Sequence, residues 1–245
     1  MCPVLKGGAR DRRVRSISKG KRIDRVSLGS EASVRRVVVT LGKGESQRKV
    51  KLAEKKFYPR EKLPAYSKLH QPNLRNPEAQ YKMMKRLQNL NRRYKLKLPI
   101  LTTMRLRALK TGEKRIYSTV LKNVLSADEM LFGGGGLRLA TYKRRKCGKD
   151  KNGKQLWGSE TRYLKITSKQ RRELAEERQR VILLLEAFGF RIEEKDAWVY
   201  TMDPKTREIK VWLGDYGNIV EVSPSKRREF FPFELKLLEE YLPQQ

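Results

Sequence analysis

Apolar positions in the N-terminal half of the chain change their spacing near residue 76. Residues 34–53 predict two strands, since β-branched side chains precede a Gly-rich turn at 42–45 and basic and apolar residues alternate after it. This alternation places the cations of the second strand on one face. Residues 76–95 predict a helix, with Asn76 as N-cap, Pro77 at the first position and Glu78 near the positive end of the dipole. Its apolar stripe consists of Tyr81, Met84, Leu87, Leu90 and Tyr94.

The spacing after this helix predicts several shorter helices. We expect one at about residues 100–111 and another at about 113–125, with Gly112 ending the first. Residues 126–129 have the composition of a capping box for one further turn. Such helices are compatible with a helix-turn-helix unit and also with a generic helical core. Four glycines at 133–136 then predict a hinge, with a phosphate cradle or a tight structural turn as alternatives.

The last hundred residues predict a hairpin followed by a small mixed module. Residues 137–142 and 161–166 are two strands, and Asn152-Gly153 marks a turn in the basic segment between them. Thr167 and Gln170 form a capping box for a helix that Gly189 ends. Three antiparallel strands at 197–202, 207–213 and 219–222 form a meander, and a helix at about 232–241 closes it through Leu235, Leu238 and Tyr241.

These elements predict an α+β fold in five parts. Residues 1–33 form a flexible basic arm, because cations alternate there with Gly and Ser without an apolar period. A leader that is removed after targeting is the alternative for this arm. Residues 34–132 form a basic mixed hairpin and helical region, in which 57–75 is a Pro-rich connector. The Gly hinge at 133–136, the basic β-hairpin at 137–166 and a separate near-neutral α+β domain at 167–245 complete the chain.

Charge is distributed very unevenly along the chain. Residues 1–166 hold 44 Lys and Arg against 12 Asp and Glu, whereas residues 167–245 hold 14 against 15. The net charge of +31 therefore lies almost wholly in the first two thirds. Such a surface repels itself unless a polyanion covers it, and nucleic acid is the usual polyanion. An acidic membrane surface is disfavoured as a partner, since no strongly amphipathic helix carries Trp or Phe on its apolar side.

Composition also bears on the compartment. Cys2 and Cys147 are the only cysteines, which does not suit a disulfide framework. No apolar run approaches the roughly 20 residues of a membrane span, and the N-terminus lacks the apolar region of a secretory signal. We therefore expect an intracellular protein of a reducing compartment, such as the cytoplasm, the nucleus or an organelle matrix.

Three clusters of cations are the candidate phosphate contacts. The basic tip of the hairpin is the densest, with seven cations and one acid between Lys143 and Lys154. Tyr142, Trp157 and Tyr163 flank it and suit stacking on bases. The candidates are Arg12, Arg13 and Arg15 in the arm, Lys82, Lys85, Arg86, Arg92 and Arg93 on the helix, and Lys143, Arg144, Arg145, Lys146, Lys149 and Lys151 in the hairpin.

Candidate catalytic chemistry is confined to a few acids. Asp203, Glu208 and Lys210 follow the broad pattern of magnesium-dependent nucleases, in which carboxylates hold the ion against a phosphate. Turn formation by Asp203 and a surface ion pair between Glu208 and Lys210 explain the same residues without a metal. His70 is the only histidine and lies in the Pro-rich connector, so we expect no metal site and no cofactor.

The sequence therefore predicts a non-enzymatic nucleic-acid-binding protein that grips phosphates with its arm, helix and hairpin. RNA is slightly favoured over DNA, because short helices, hairpins and basic tails suit structured RNA, as in a ribonucleoprotein or ribosome-like component. A DNA-binding replication or recombination factor, or a magnesium-dependent nuclease, is the alternative. The near-neutral region 167–245 is a candidate protein contact, and no small-molecule substrate is expected.

Overall fold

The computed structural model describes residues 14–22, 32–41, 48–57, 76–108, 114–129, 137–149, 152–153, 155–193 and 197–242. These residues form helices and antiparallel sheets, so the fold is mixed α+β. The helices are α1 (Pro77–Arg93), α2 (Ser168–Ala187) and α3 (Pro232–Tyr241). The strands are β1 (Val14–Arg22), β2 (Ala32–Leu41), β3 (Arg48–Phe57), β4 (Thr103–Ala108), β5 (Lys114–Thr119), β6 (Val124–Glu129), β7 (Leu137–Lys149), β8 (Gln155–Tyr163), β9 (Phe190–Ile192), β10 (Trp198–Met202), β11 (Ile209–Leu213) and β12 (Ile219–Glu221).

The first sheet has the strand order β1-β2-β3-β5-β4. The predicted strand pair at 34–53 is confirmed as β2 and β3, which pair without a break from Ala32 opposite Phe57 to Leu41 opposite Arg48. The prediction of a flexible arm is wrong for residues 14–22, since β1 pairs antiparallel with β2. This pairing satisfies backbone groups of a segment whose low hydrophobicity gives no sign of a strand. Ala32 and Ser33, the last two residues of the predicted arm, begin β2, and residues 1–13 and 23–31 lie outside the described part of the chain.

The helices predicted at about 100–111 and 113–125 are wrong, and with them the helix-turn-helix unit. Strands β4 and β5 occupy these segments and pair with each other, and β5 also pairs with β3. Residues 103–108 alternate polar and apolar side chains, a period of two that fits a strand. Residues 126–129 belong to β6 rather than to a helical turn. The glycines at 133–136 and the connector at 58–75, including His70, lie outside the described residues.

The second sheet, in the order β11-β10-β6-β7-β8, contains strands from both sides of the predicted boundary at 166/167. The hairpin is confirmed, but β7 and β8 extend much further toward its tip than expected. Of the predicted three-stranded meander, β10 and β11 pair antiparallel as expected, but the place of the third strand is wrong, because β12 pairs with β9 instead of β11. A 3-10 turn at Tyr216–Asn218 separates β11 from β12, and β9 was not among the strands predicted from the sequence.

One apolar core joins α1, the second sheet, α2 and α3. Leu87, Leu139, Leu184, Tyr200 and Leu213 are fully buried in it. Residues before and after 167 thus pack together, although we expected 167–245 to form a separate domain. A second, smaller core consists of Val37, Val39, Leu52 and Tyr117 on one face of the first sheet.

Both long helices begin where local signals predict. Asn76 caps α1 by accepting from the backbone of Glu78 and Ala79, and the box between Thr167 and Gln170 caps α2. The predicted stripe of α1 faces the core, with Met84 and Leu87 buried. At α3, Leu238 is buried but Leu235 is half exposed, so the prediction for Leu235 is wrong. No helix in the described part of the chain is long and apolar enough to cross a membrane.

Candidate nucleic-acid interface

One face of the β2–β3 hairpin presents Arg36, Lys49 and Lys51, which we call the sheet face. The pairing places Thr40 opposite Lys49, Val38 opposite Lys51 and Arg36 opposite Ala53, so all three cations lie on the same side. The opposite side carries the buried residues of the smaller core. All three cations are exposed, and none has an acidic partner among the described residues. The alternation in β3 was visible in the sequence, but these residues were not among the candidate contacts.

Glu54, three positions after Lys51 in the sequence, does not neutralise the sheet face. Its carboxylate is fully buried on the other side and accepts from Arg35 Nε at 2.5 Å, Arg115 Nη1 at 3.2 Å and the Tyr117 hydroxyl at 2.8 Å. Burial raises the pKa of Glu54, but the hydrogen bonds from Tyr117 and Arg35 and the charges of Arg115 and Arg35 outweigh it and hold the pKa below its ordinary value. The carboxylate therefore organises the interior of the sheet.

Lys55, which comes after Lys51 along β3, is held by contacts within the fold. Its Nζ donates to Gln80 Oε1 at 3.0 Å and to Asp215 Oδ1 at 3.3 Å. Asp215 also accepts from the backbone of Gly217 at the 3-10 turn. Lys55 thus ties the first sheet to α1 and to the turn after β11.

The predicted phosphate contacts on α1 fall into two groups. Lys82, Arg92 and Arg93 are exposed. Lys85 donates from Nζ to the Thr103 carbonyl at 3.0 Å, and its partial burial, together with the charge of Arg92, lowers its pKa. Arg86 is exposed but binds Glu221 through both terminal nitrogens. None of the first three forms an ion pair among the described residues, although Arg92 donates to Asn89 Oδ1 at 3.3 Å and Arg93 lies over the Tyr94 ring. Lys85 and Arg86 are held more firmly by their partners in the fold.

The hairpin candidates lie along β7 and β8. The pairing places Arg144 opposite Ser159, Arg145 opposite Gly158 and Lys146 opposite Trp157. Tyr163, at the end of β8, is 58% exposed. The side chains of Lys143, Arg144, Arg145, Lys146 and Lys149, and that of Arg15 in β1, lie outside what the structure describes, as do residues Arg12, Arg13 and Lys151.

Two further cations, Lys95 and Lys97, follow α1 and were not predicted as contacts. Both are exposed, and they alternate with the buried side chains of Leu96 and Leu98. Both have left-handed backbone, with φ of 51° and 52°. The Lys-Leu-Lys-Leu alternation was the signal in the sequence.

The candidate nuclease residues are occupied by local contacts. Asp203 accepts from the backbone of Lys205 at 2.8 Å and Thr206 at 3.1 Å, and the bond from Thr206, followed by that from Lys205, lowers its pKa. Glu208 and Lys210 form an exposed ion pair of 3.3 Å. No group of three His, Cys, Asp or Glu residues within the described ranges is placed to hold a metal ion. These contacts fit a turn and a surface ion pair.

Comparison with known proteins adds no family to this picture. No protein-family model matches the sequence, and no curated protein matches it either.

Proposed function

We propose that this protein binds nucleic acid without catalysing a reaction and that RNA is its main partner. The observation that carries the proposal is the sheet face, where Arg36, Lys49 and Lys51 project from paired strands without an acidic partner among the described residues. Cations held on a rigid hairpin suit the phosphates of a nucleic-acid backbone, whose neutralisation releases counterions. The protein would reside in a reducing intracellular compartment.

The distribution of the other cations supports RNA as the partner. Exposed cations occur on the sheet face, on α1 and in the segment after α1, so they are spread over several elements rather than around one cleft. Structured RNA is recognised largely by shape and backbone contacts spread over such surfaces. We thus propose that the protein is a component of a ribonucleoprotein and that its near-neutral C-terminal region is available for protein contact.

A salt series tests the proposal. Wild-type protein is titrated with structured RNA and with duplex DNA at several salt concentrations, with Mg²⁺ present and the products examined on a gel. We expect tight, salt-sensitive binding to RNA without cleavage. Preference for duplex DNA would favour a replication or recombination factor, and cleavage that needs Mg²⁺ would favour a nuclease with Asp203, Glu208 and Lys210 as the first residues to test.

The sheet face is tested by the triple variant Arg36→Ala, Lys49→Ala and Lys51→Ala. Each lost phosphate contact lowers the slope of log affinity against log salt by about 0.7 to 0.9, so we expect the slope to fall by about 2. The matched control removes three exposed lysines from the near-neutral region, Lys205, Lys226 and Lys236. Equal effects of the two triple variants would show that only total charge matters and would remove the sheet face from the interface.

A further inference from the structure

The segment that follows α1 holds two lysines in an unfavourable backbone conformation. Lys95 and Lys97 have φ of 51° and 52°, a region in which the Cβ of an L-residue approaches the following carbonyl. Glycine or asparagine is the usual residue at such positions after a helix. The chain instead has lysine at both, and both side chains are exposed. An observed backbone outlier of this kind is a reason to look for a function.

Contacts from two helices hold the segment in place. Arg180 on α2 donates from Nη1 to the Leu96 carbonyl and from Nη2 to the Lys97 carbonyl, both at 3.1 Å. Asn91 on α1 accepts from the backbone of Leu98 at 2.9 Å. Leu96 and Leu98 are anchored in the core, being 1% and 5% exposed. With the leucines fixed inward, the two lysines that alternate with them are directed to the surface.

The charge of Arg180 is already matched within the fold. Its guanidinium donates to both carboxylate oxygens of Glu177 at 2.7 Å. Glu177 is therefore paired with Arg180 and does not neutralise the lysines. Arg92 and Arg93 lie just before the two lysines, so four cations occur within residues 92–97. None of the four forms an ion pair with an acid in the described part of the chain. Within the described part of the chain, therefore, no acid relieves the mutual repulsion of these cations.

The helix dipole accounts for only part of this cluster. Cations in the last turn of a helix are stabilised by the partial negative charge of its C-terminus, which explains Arg92 and Arg93. It does not explain lysine at two left-handed positions, where asparagine would satisfy the backbone at lower cost. The reason for lysine at these positions therefore lies in its side chain, whose exposed ammonium group carries a positive charge.

We infer that Arg92, Arg93, Lys95 and Lys97 form a binding site for successive phosphates of one nucleic-acid strand, which we call the post-helix cluster. The inference rests on the proposed function and adds a second site to the sheet face. The cluster contacts the backbone and does not read bases, so binding there is independent of sequence.

The double variant Lys95→Asn and Lys97→Asn separates binding from folding. Asparagine tolerates left-handed backbone, so we expect the melting temperature to be equal to or higher than that of the wild type. Affinity for RNA is expected to fall on the order of tenfold at 0.1 M salt, and the salt slope by about 1.5. The matched control is Arg207→Asn with Lys236→Asn, because Arg207 is also exposed and has a φ of 61°. This control is expected to bind like the wild type.

A second variant, Lys95→Arg with Lys97→Arg, keeps both charges and the same backbone demand. We expect it to bind like the wild type whatever the asparagine variant does to stability, and weak binding by a folded arginine variant would overturn the post-helix cluster. If the wild-type protein binds RNA and the asparagine variant binds it equally well, the post-helix cluster is overturned and the proposed function stands. Absence of salt-sensitive binding by the wild type would instead overturn the proposed function, and the cluster with it.

Discussion

Arg86 on α1 and Glu221 on β12 form a bidentate ion pair, with 2.5 Å from Nη1 to Oε2 and 2.8 Å from Nη2 to Oε1. The hydrogen bond from Arg86 lowers the pKa of Glu221, and the same bond raises the pKa of Arg86. Both side chains are 53% exposed, so the pair contributes about 1 kcal/mol or less to stability. The main consequence of the ion pair is electrostatic, since Glu221 neutralises the charge of Arg86, one of the cations on α1.

Replacing Glu221 with glutamine is expected to strengthen binding to RNA. The substitution frees the charge of Arg86 for a phosphate, and we expect a two- to fivefold gain in affinity, on the order of one weak contact. The free energy of unfolding changes by less than about 1 kcal/mol. Affinity in low salt and thermal melting check both parts. Glu173→Gln is the control, because Glu173 pairs with Lys169 within α2 and the change in net charge is the same; an equal gain there would contradict the role of Arg86.

Loss of the buried Glu54 carboxylate is expected to destabilise the first sheet strongly. Glu54→Gln leaves Arg35 and Arg115 without their acid, and breaking a buried pair costs about 3 kcal/mol. Tyr117→Phe removes a single donor to the carboxylate and is expected to cost about 1 to 2 kcal/mol. Urea unfolding measures both. A Glu54 variant as stable as the wild type would show that the interior of the sheet does not need the carboxylate.

The Glu54 carboxylate is also expected to make the stability of the protein depend on pH at acidic values. Because the pKa of Glu54 is below its ordinary value of 4.5, its contribution to stability is fully present above that value and is lost as pH falls toward and through the folded-state pKa. We expect stability measured by urea unfolding to fall in this window in the wild type. The Glu54→Gln protein should show a shallower fall, and an unchanged slope would contradict the assignment.

Gly189 at the end of α2 is expected to tolerate no side chain without loss of stability. Its φ of 81° is left-handed, and an added Cβ would lie 2.8 Å from Cζ of Arg227. Gly189→Ala is expected to cost about 1 to 2 kcal/mol, mainly from the backbone, because the end of an arginine side chain can move. Gly153→Ala is the matched comparison, since its φ is 73° and its surroundings are open. The difference between the two melting temperatures measures the displacement of Arg227.

Neutralising Arg144, Arg145 and Lys146 together is expected to weaken RNA binding and to lower its salt slope by about 2. These residues lie on β7, opposite residues 157–159 of β8, where a basic strand can follow a phosphate backbone. Filter binding over a salt series measures the change. Unchanged affinity would exclude the hairpin from the interface.

Local signals were sufficient for the long helices and for three of the hairpin pairings, β2 with β3, β7 with β8 and β10 with β11. Asn76 and Pro77 begin α1, Thr167 and Gln170 begin α2, and both helices have an apolar stripe over several turns. They were insufficient for β4 and β5, which are six residues each. A segment that short carries too few apolar positions to distinguish a period of two from a period of 3.6, and β3 decides the outcome by offering its backbone for pairing.

The sequence by itself determined the positive charge of this protein, its position in the first two thirds of the chain, and the presence of two long helices. Only the tertiary structure decided which cations remain available. Lys85 is bound to a carbonyl 18 residues away, and Arg86 to a carboxylate 135 residues away, while Lys82, on the preceding turn of α1, stays exposed. The physical reason is that charge and helical period are properties of neighbouring residues, whereas ion pairs and strand pairing depend on groups that only folding brings within hydrogen-bond distance.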